Sequence, residues 1–171
     1  MSKIGRWWVA AAGILTLGGV VYRFGISLHT IVNLPVVGIL VLAAIRDLEQ
    51  KIIPDWLTLP GLAWVFAVGL LPGIERIGEA MLGAVVCGGV LLLFALVSRG
   101  AVGGGDVKLL TMIGAATGWR YGLLALCLSQ LCAGGVAVLL LVRGKRGRRE
   151  ALVFGPFLSI FGILAILLKS R

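Results

Sequence analysis

Charge-free apolar runs alternate with short polar breaks along the whole chain. They cover residues 7–22, 30–45, 56–74, 80–98, 109–119, 121–142 and 151–168. A helix needs about 17–25 residues to cross the hydrocarbon of a bilayer. The first two runs meet that length if Trp7, Trp8, Arg6, Arg23 and Arg46 sit at the interface and snorkel. The fifth run is too short by itself. Extended back to Gly103 it is long enough, and Asp106 and Lys108 then fall in its first turn, at the membrane surface. A re-entrant segment is the alternative. The pattern predicts an all-α, polytopic membrane helical bundle of about six to seven transmembrane helices. With no internal repeat and no long hydrophilic stretch, residues 1–171 read as one domain.

Composition supports a membrane protein. The chain is 60% hydrophobic and 13% charged, with a mean hydropathy of +1.09. A soluble domain is nearer half apolar and a quarter charged. The net charge of +9 would point to nucleic acid in a soluble protein. Here the basic residues lie between apolar runs, so anionic lipid is the expected partner and nucleic acid is not. The densest cluster is "RGKRGRRE", with Arg143, Lys145, Arg146, Arg148 and Arg149. If the N-terminus is cytoplasmic, the loops at 46–55, 99–108 and 143–150 are cytoplasmic too. The opposite loops hold Arg23, "PGIERIGE" and Arg120, so the balance favours that orientation. It leaves the C-terminal "KSR" outside, against the rule; a six-span variant would bring it inside. Lys3 and Arg6 resemble the basic start of a signal peptide, but "TLGGVVYRFG" offers no A-x-A site, so the first run reads as an uncleaved span. Cys87, Cys127 and Cys132 all lie inside apolar runs and form no C-x-x-C, which predicts small core residues and neither a zinc site nor a redox motif.

Acidic residues are scarce: Asp47, Glu49, Asp55, Glu75, Glu79, Asp106 and Glu150. Glu75 and Glu79 fall on the outer side and the other five on the cytoplasmic side. Asp47 closes the second run and Asp106 opens the fifth, at the same membrane depth. Two carboxyl groups brought together there cannot easily both ionise, so they share a proton. That is the arrangement of an aspartic protease: the ionised member takes a proton from water, and the protonated member donates to the scissile carbonyl. Gly103, Gly104 and Gly105 would clear space for an extended substrate backbone beside Asp106. Asp106 also has a plain structural reading, as a helix-start carboxylate favoured by capping and the macrodipole. The same dipole would keep Asp106 the ionised member and leave Asp47 as proton donor. For Asp47 the structural reading is an interfacial charge at a helix end beside Arg46. Asp55, after Pro54, reads as the N-cap of the next helix. His29 is the one histidine, so no His-based triad or multi-His metal site can be built. Ser98, Ser129 and Ser159 lack a G-x-S-x-G context.

Three blocks resemble the prepilin peptidase family, the type IV leader peptidases among the GxGD membrane aspartyl proteases. "DLEQKIIPDWLTLPG", Asp47 to Gly61, is similar to the family's D-x(6)-[IL]-P-[DN]-x-x-[TS] pattern. "GGGDVKLLTMIGAATGW", Gly103 to Trp119, resembles its G-x-G-D-x-K-L-[LM] block. "VFGPFLSIFG", Val153 to Gly162, resembles its late F-G-P-[FY] motif. The blocks stand in the family's order, and the resemblance covers roughly residues 30–168. The resemblance implies a polytopic helical fold in the bacterial inner membrane with its active site at the cytoplasmic face. Asp47 and Asp106 would be the catalytic pair, no metal or cofactor would be needed, and type IV pilin-like precursors would be the substrates. Pro54, Asp55, Lys108, Gly155 and Pro156 would shape the site or touch substrate. Lys108 does not share a helical face with Asp106, and phosphate head groups or an acidic group on the substrate are its two expected contacts. "FGPF" also has a plain reading, a proline in the first turn of a helix. Longer family members carry an insertion with two C-x-x-C pairs, associated with methylating the new N-terminus. Its absence before Asp47 aligns this chain with the short, peptidase-only members.

Two other classes stay open on sequence. Acids within a membrane often mark ion or solute pathways, which suggests a small transporter. A non-catalytic assembly factor of a pilus or secretion system would use the basic loop to hold lipid or a partner.

Overall fold

The computed structural model describes residues 18, 28–71, 77–98, 102–143 and 154–169. Apart from Gly18, the first apolar run lies outside the described residues, as do Lys145, Arg146, Arg148 and Arg149 of the basic loop. Six helices follow in order: α1 (Leu28–Gln50), α2 (Asp55–Gly69), α3 (Ile77–Val97), α4 (Gly104–Thr117), α5 (Trp119–Val142) and α6 (Gly155–Lys169). There is no strand among the described residues. The fifth run does begin earlier than its apolar part, at Gly104, as the extended reading expects.

The chain is an all-α membrane helical bundle. Two stretches, Ile77–Val97 and Trp119–Leu140, are long and apolar enough to cross a bilayer by length and composition, and α6 is a shorter apolar helix. α3 exposes Val85, Leu93, Phe94 and Leu96, and α5 exposes Leu131, Val138 and Leu139. Such broad apolar exposure suits a hydrocarbon solvent, where helices satisfy every backbone group internally. Cys127 and Cys132 lie on this exposed side of α5, which corrects the expectation that all three cysteines are core residues. The buried face of α5 is instead made by Ala125, Leu126, Ser129 and Ala133, so its cysteines point away from the bundle. Cys87 is buried as expected.

α4 is the hub, touching all five other described helices. Leu109, Leu110, Met112 and Ile113 have no exposed surface. A helix so enclosed is only 14 residues long and needs no lipid-facing length of its own. Its closest neighbour is α3, and they meet through small residues. A Cβ on Gly83 would strike the carbonyl oxygen of Gly114, and a Cβ on Gly114 would strike that of Gly83. Gly88 backs onto the Thr111 hydroxyl, and a Cβ on Gly122 would lie 2.5 Å from Cys87 Sγ. Lipid tails give no hydrophobic incentive for helices to associate, so close backbone approach and dispersion contacts must supply it. The hydroxyls buried nearby turn back on their own helices: Thr111 donates to Val107 O at 2.7 Å and Thr117 to Ile113 O at 2.7 Å.

The ends of the bundle differ in chemistry. At one end Gly118 takes a φ of 82°, which closes α4 and lets α5 begin at once. There Lys169, at the end of α6, donates to Ala116 O at 3.2 Å and lies 3.8 Å from Glu79 at the start of α3. The opposite end gathers the end of α1 and the starts of α2, α4 and α6.

The glycine seam can be tested by contrast. Gly83→Ala should lower stability by about 1–3 kcal/mol, because the added methyl meets rigid backbone. Gly89→Ala, whose Cβ meets nothing within 4 Å, should be neutral or slightly stabilising. Thermal unfolding of both variants in detergent decides, and equal melting temperatures would refute the seam.

Candidate active site

Asp47 sits in the last turn of α1, where the chain must reverse. Lys51 N–H bonds Asp47 O at 2.9 Å, and Lys51 itself takes φ 55°. That left-handed conformation costs a residue with a side chain about 1–2 kcal/mol. Ile52 to Pro54 then run extended into α2, and Pro54, at φ −74° and ψ 144°, caps it. Ile53 turns inward and is buried. It lands on Gly105, where a Cβ would lie 2.8 Å from Ile53 Cβ and 3.1 Å from its carbonyl oxygen. The reversal after α1 is therefore packed directly on the start of α4.

This contact divides the glycine run. Gly104 is exposed and a Cβ there would meet nothing within 4 Å; at Gly103 it would lie 3.4 Å from Asp106 Oδ2. These two leave the approach to Asp106 uncluttered, whereas Gly105 is fixed by packing.

The Asp47 carboxylate is almost enclosed, with 7% of the residue exposed. Gly155 N–H donates to its Oδ2 at 2.7 Å. That amide is one of the orphan donors at the start of α6, so Asp47 caps a helix 108 residues further along the chain. A Cβ on residue 155 would sit 2.5 Å from Oδ2, which explains the glycine. Pro156 follows in the first turn of α6, where its missing N–H matters least.

Both carboxyls lie outside the apolar runs, at one end of the bundle, and both hold protons more tightly than usual. Burial raises Asp47, with the Gly155 amide opposing it. Burial pushes Asp106 up to about 6, the negative charge of Asp47 adds to that, and a Gly103 backbone hydrogen bond opposes it. The structure thus brings the two sequence-predicted carboxyls within electrostatic reach. Asp106 rises partly in the field of Asp47, so the two carboxyls titrate as a pair. Asp106 lies at the start of α4, and through the Gly155 amide Asp47 lies at the start of α6, so a helix start bears on both.

Lys108 reaches Asp55 Oδ1 at 2.6 Å. Asp55 is not the N-cap of α2: Pro54 holds that position and Asp55 is the first helical residue. The pair is largely exposed, and such pairs contribute at most about 1 kcal/mol. Its effect is to tie α2 to the first turn of α4, beside Asp106. Arg46, 5.9 Å from the Trp56 ring centroid, ties α1 to α2 in the same way. The Ile53–Gly105 and Arg46–Trp56 contacts were not foreseen, and no spacing rule would have found them. Among the described residues no group of three or more His, Cys, Asp and Glu could hold a metal ion. His29 lies near the start of α1, at the opposite end of this 23-residue helix from Asp47.

A helical membrane bundle that holds two carboxyls within electrostatic reach at one end defines the class, and sequence comparison gives the family. A profile of the type IV leader peptidase family matches residues 34–138, and the chain belongs to that family. The chain is 35% identical over 153 residues to a prepilin leader peptidase/N-methyltransferase of Pseudomonas putida, covering 86% of this chain and 53% of that protein. It is 30% identical over 158 residues to one of Bacillus subtilis strain 168, covering 92% of this chain and 60% of the relative. A third, from Pseudomonas aeruginosa, is 32% identical over 165 residues, covering 93% and 57%. The chain thus spans about half the length of these relatives. No solved structure matches it.

The raised carboxyls give stability a pH dependence of known sign. The folded chain binds the Asp106 proton more tightly than the unfolded chain does. That contribution is complete below 3.8 and is lost as pH rises to about 6. The wild-type melting temperature should fall across this window, and that of Asp106→Asn should fall less. Parallel curves for the two proteins would contradict the burial of Asp106.

Proposed function

We propose that this chain is a membrane aspartyl endopeptidase that removes the short basic leader of type IV pilin-like precursors. The observation that carries the reading is the pair of Asp47, buried, and Asp106, partly buried and within reach of the Asp47 charge. The names of its relatives supply the substrate class. In the proposed mechanism Asp47, ionised and oriented by the Gly155 amide, takes a proton from water, which attacks the scissile carbonyl. Asp106 donates its proton to the carbonyl oxygen, and the leaving amine is protonated as the bond breaks. Gly103 and Gly104 leave room for an extended substrate strand beside Asp106, and Lys108 and Asp55 border that approach. The relatives' names also carry an N-methyltransferase activity. It is not proposed for this chain, which has no C-x-x-C pair.

The active end would face the cytoplasm of a bacterial inner membrane, with several spans crossing it. Lys and Arg are densest in the loops that open from the Asp47 and Asp106 end, as the positive-inside rule asks. Arg143, Lys145, Arg146, Arg148 and Arg149 would hold anionic head groups there. A transport pathway would place its acids deep within the spans; here both carboxyls sit at a bundle end, which favours the peptidase.

Asp47→Asn and Asp106→Asn should each abolish cleavage of a co-expressed pilin precursor while the protein still inserts. Cleavage retained in either would remove the catalytic assignment. Activity should also survive EDTA; loss restored by zinc would indicate a metalloprotease instead. Gly155→Ala, which drives a methyl into Asp47, should reduce the rate at least about tenfold through misplacement of the carboxylate.

A further inference from the structure

Most helix hydroxyls here bond back to their own backbone. Ser98, Thr111, Thr117 and Ser129 each donate to a carbonyl three or four residues earlier. Ser159 does not. It is 1% exposed, and its Oγ has no hydrogen-bond partner. Leaving a buried hydroxyl unpaired costs about 1–3 kcal/mol. Thr58 is the other such hydroxyl. It lies one turn before Gly61, whose face meets Ile39 and Met112, and nothing ties it to either carboxyl.

Two glycines fix the direction of Ser159. A Cβ on Gly155 would strike Asp47, and a Cβ on Gly162 would lie 2.7 Å from Ile113 Cδ1 and 3.4 Å from Leu40 Cδ1. Ser159 is four residues after the first and three before the second, so it shares their face. It occupies the seam of α1, α4 and α6, one turn beneath Asp47. Side chains on a helix tilt toward its N-terminus, and the N-terminus of α6 is the Asp47 end. Ala43, one turn before Asp47 on α1, is fully buried and brings no donor to that level. An ionised carboxylate only accepts, and its two oxygens offer about four lone-pair sites. The described residues supply Asp47 with one hydrogen bond, from Gly155.

We propose that Ser159 is a positioning residue for Asp47, its hydroxyl turning along this seam during the reaction to give the carboxylate a second hydrogen bond beside that of Gly155. A free hydroxyl suits this task because it rotates between staggered wells without breaking another bond. The inference rests on the peptidase reading above.

The test uses the purified full chain in detergent with a synthetic leader–pilin peptide, comparing wild type, Asp47→Asn, Ser159→Ala and Ser159→Thr. Ser159→Ala should lower kcat about tenfold to a hundredfold, the value of a hydrogen bond to a charged group, with KM within about twofold. Its melting temperature should equal or exceed that of wild type, since an unpaired hydroxyl is removed. Ser159→Thr, which keeps the hydroxyl, should recover most of the lost kcat. If Ser159→Ala does not fold, Ser159→Cys keeps the volume and weakens the donor, and the same kcat loss is expected. Wild-type kcat in the Ala or Cys variant, with Asp47→Asn inactive, overturns the role of Ser159 alone. An inactive wild type or an active Asp47→Asn overturns the peptidase reading, and this inference falls with it.

Discussion

The contact between the Asp47 carboxylate and the Gly155 amide holds the active end of this molecule together. It solves two problems at once. A carboxylate withdrawn from water needs donors, and the start of a helix has amides without acceptors. Each is the other's remedy, at 2.7 Å. The contact demands a residue without a side chain at position 155, and it joins the end of α1 to the start of α6. α6 can then lie along α1 and α4, with Gly162 against Leu40 and Ile113 a few turns further on.

Asp106 depends on a second constraint, the fixed position of α4. Five helices surround α4, and it cannot slide, because Gly83 and Gly114 bring its backbone against that of α3. Ile53 presses on Gly105, so the reversal that follows Asp47 and the helix that carries Asp106 share one contact. The separation of the two carboxyls is thus set by rigid backbone on both sides. That is the kind of support a catalytic pair needs, since small misplacements cost much in rate.

The helices were legible because a membrane imposes a length and a composition on them. The run at 80–98 became α3 and the run at 121–142 became α5 with ends shifted by a few residues. The short fifth run does start in the glycine triplet, but its helix ends at Thr117 and at 14 residues stays shorter than the expected crossing. The acid pair was legible because acids are scarce and two fell at the same depth. What failed was local reasoning about side chains. Asp55 looked like a cap because it follows Pro54, yet Lys108, 53 residues away, claims its carboxylate. The three glycines looked alike, yet only the backbone of Ile53 distinguishes Gly105 from its neighbours. Cys127 and Cys132 looked like core residues because their run is apolar, but in lipid an apolar run has no inner face that hydropathy can reveal.

The two carboxyls show why distant contacts matter as much as local ones. Considered singly, each aspartate stands at a helix start, Asp106 in its own and Asp47 at that of α6, so the dipole argument does not separate them. Burial acts on both in the same direction. One charge makes the second costlier, so the two carboxyls titrate as a pair. Asp47 is held by a directed amide from another helix, whereas Asp106 is opposed by the Asp47 charge and is pushed up to about 6. An acid in that range is protonated often enough near neutral pH to donate, which is what the proposed mechanism asks of it. The surroundings of the pair therefore depend on where α6 begins, and the residue that permits the contact is a glycine with no chemistry of its own.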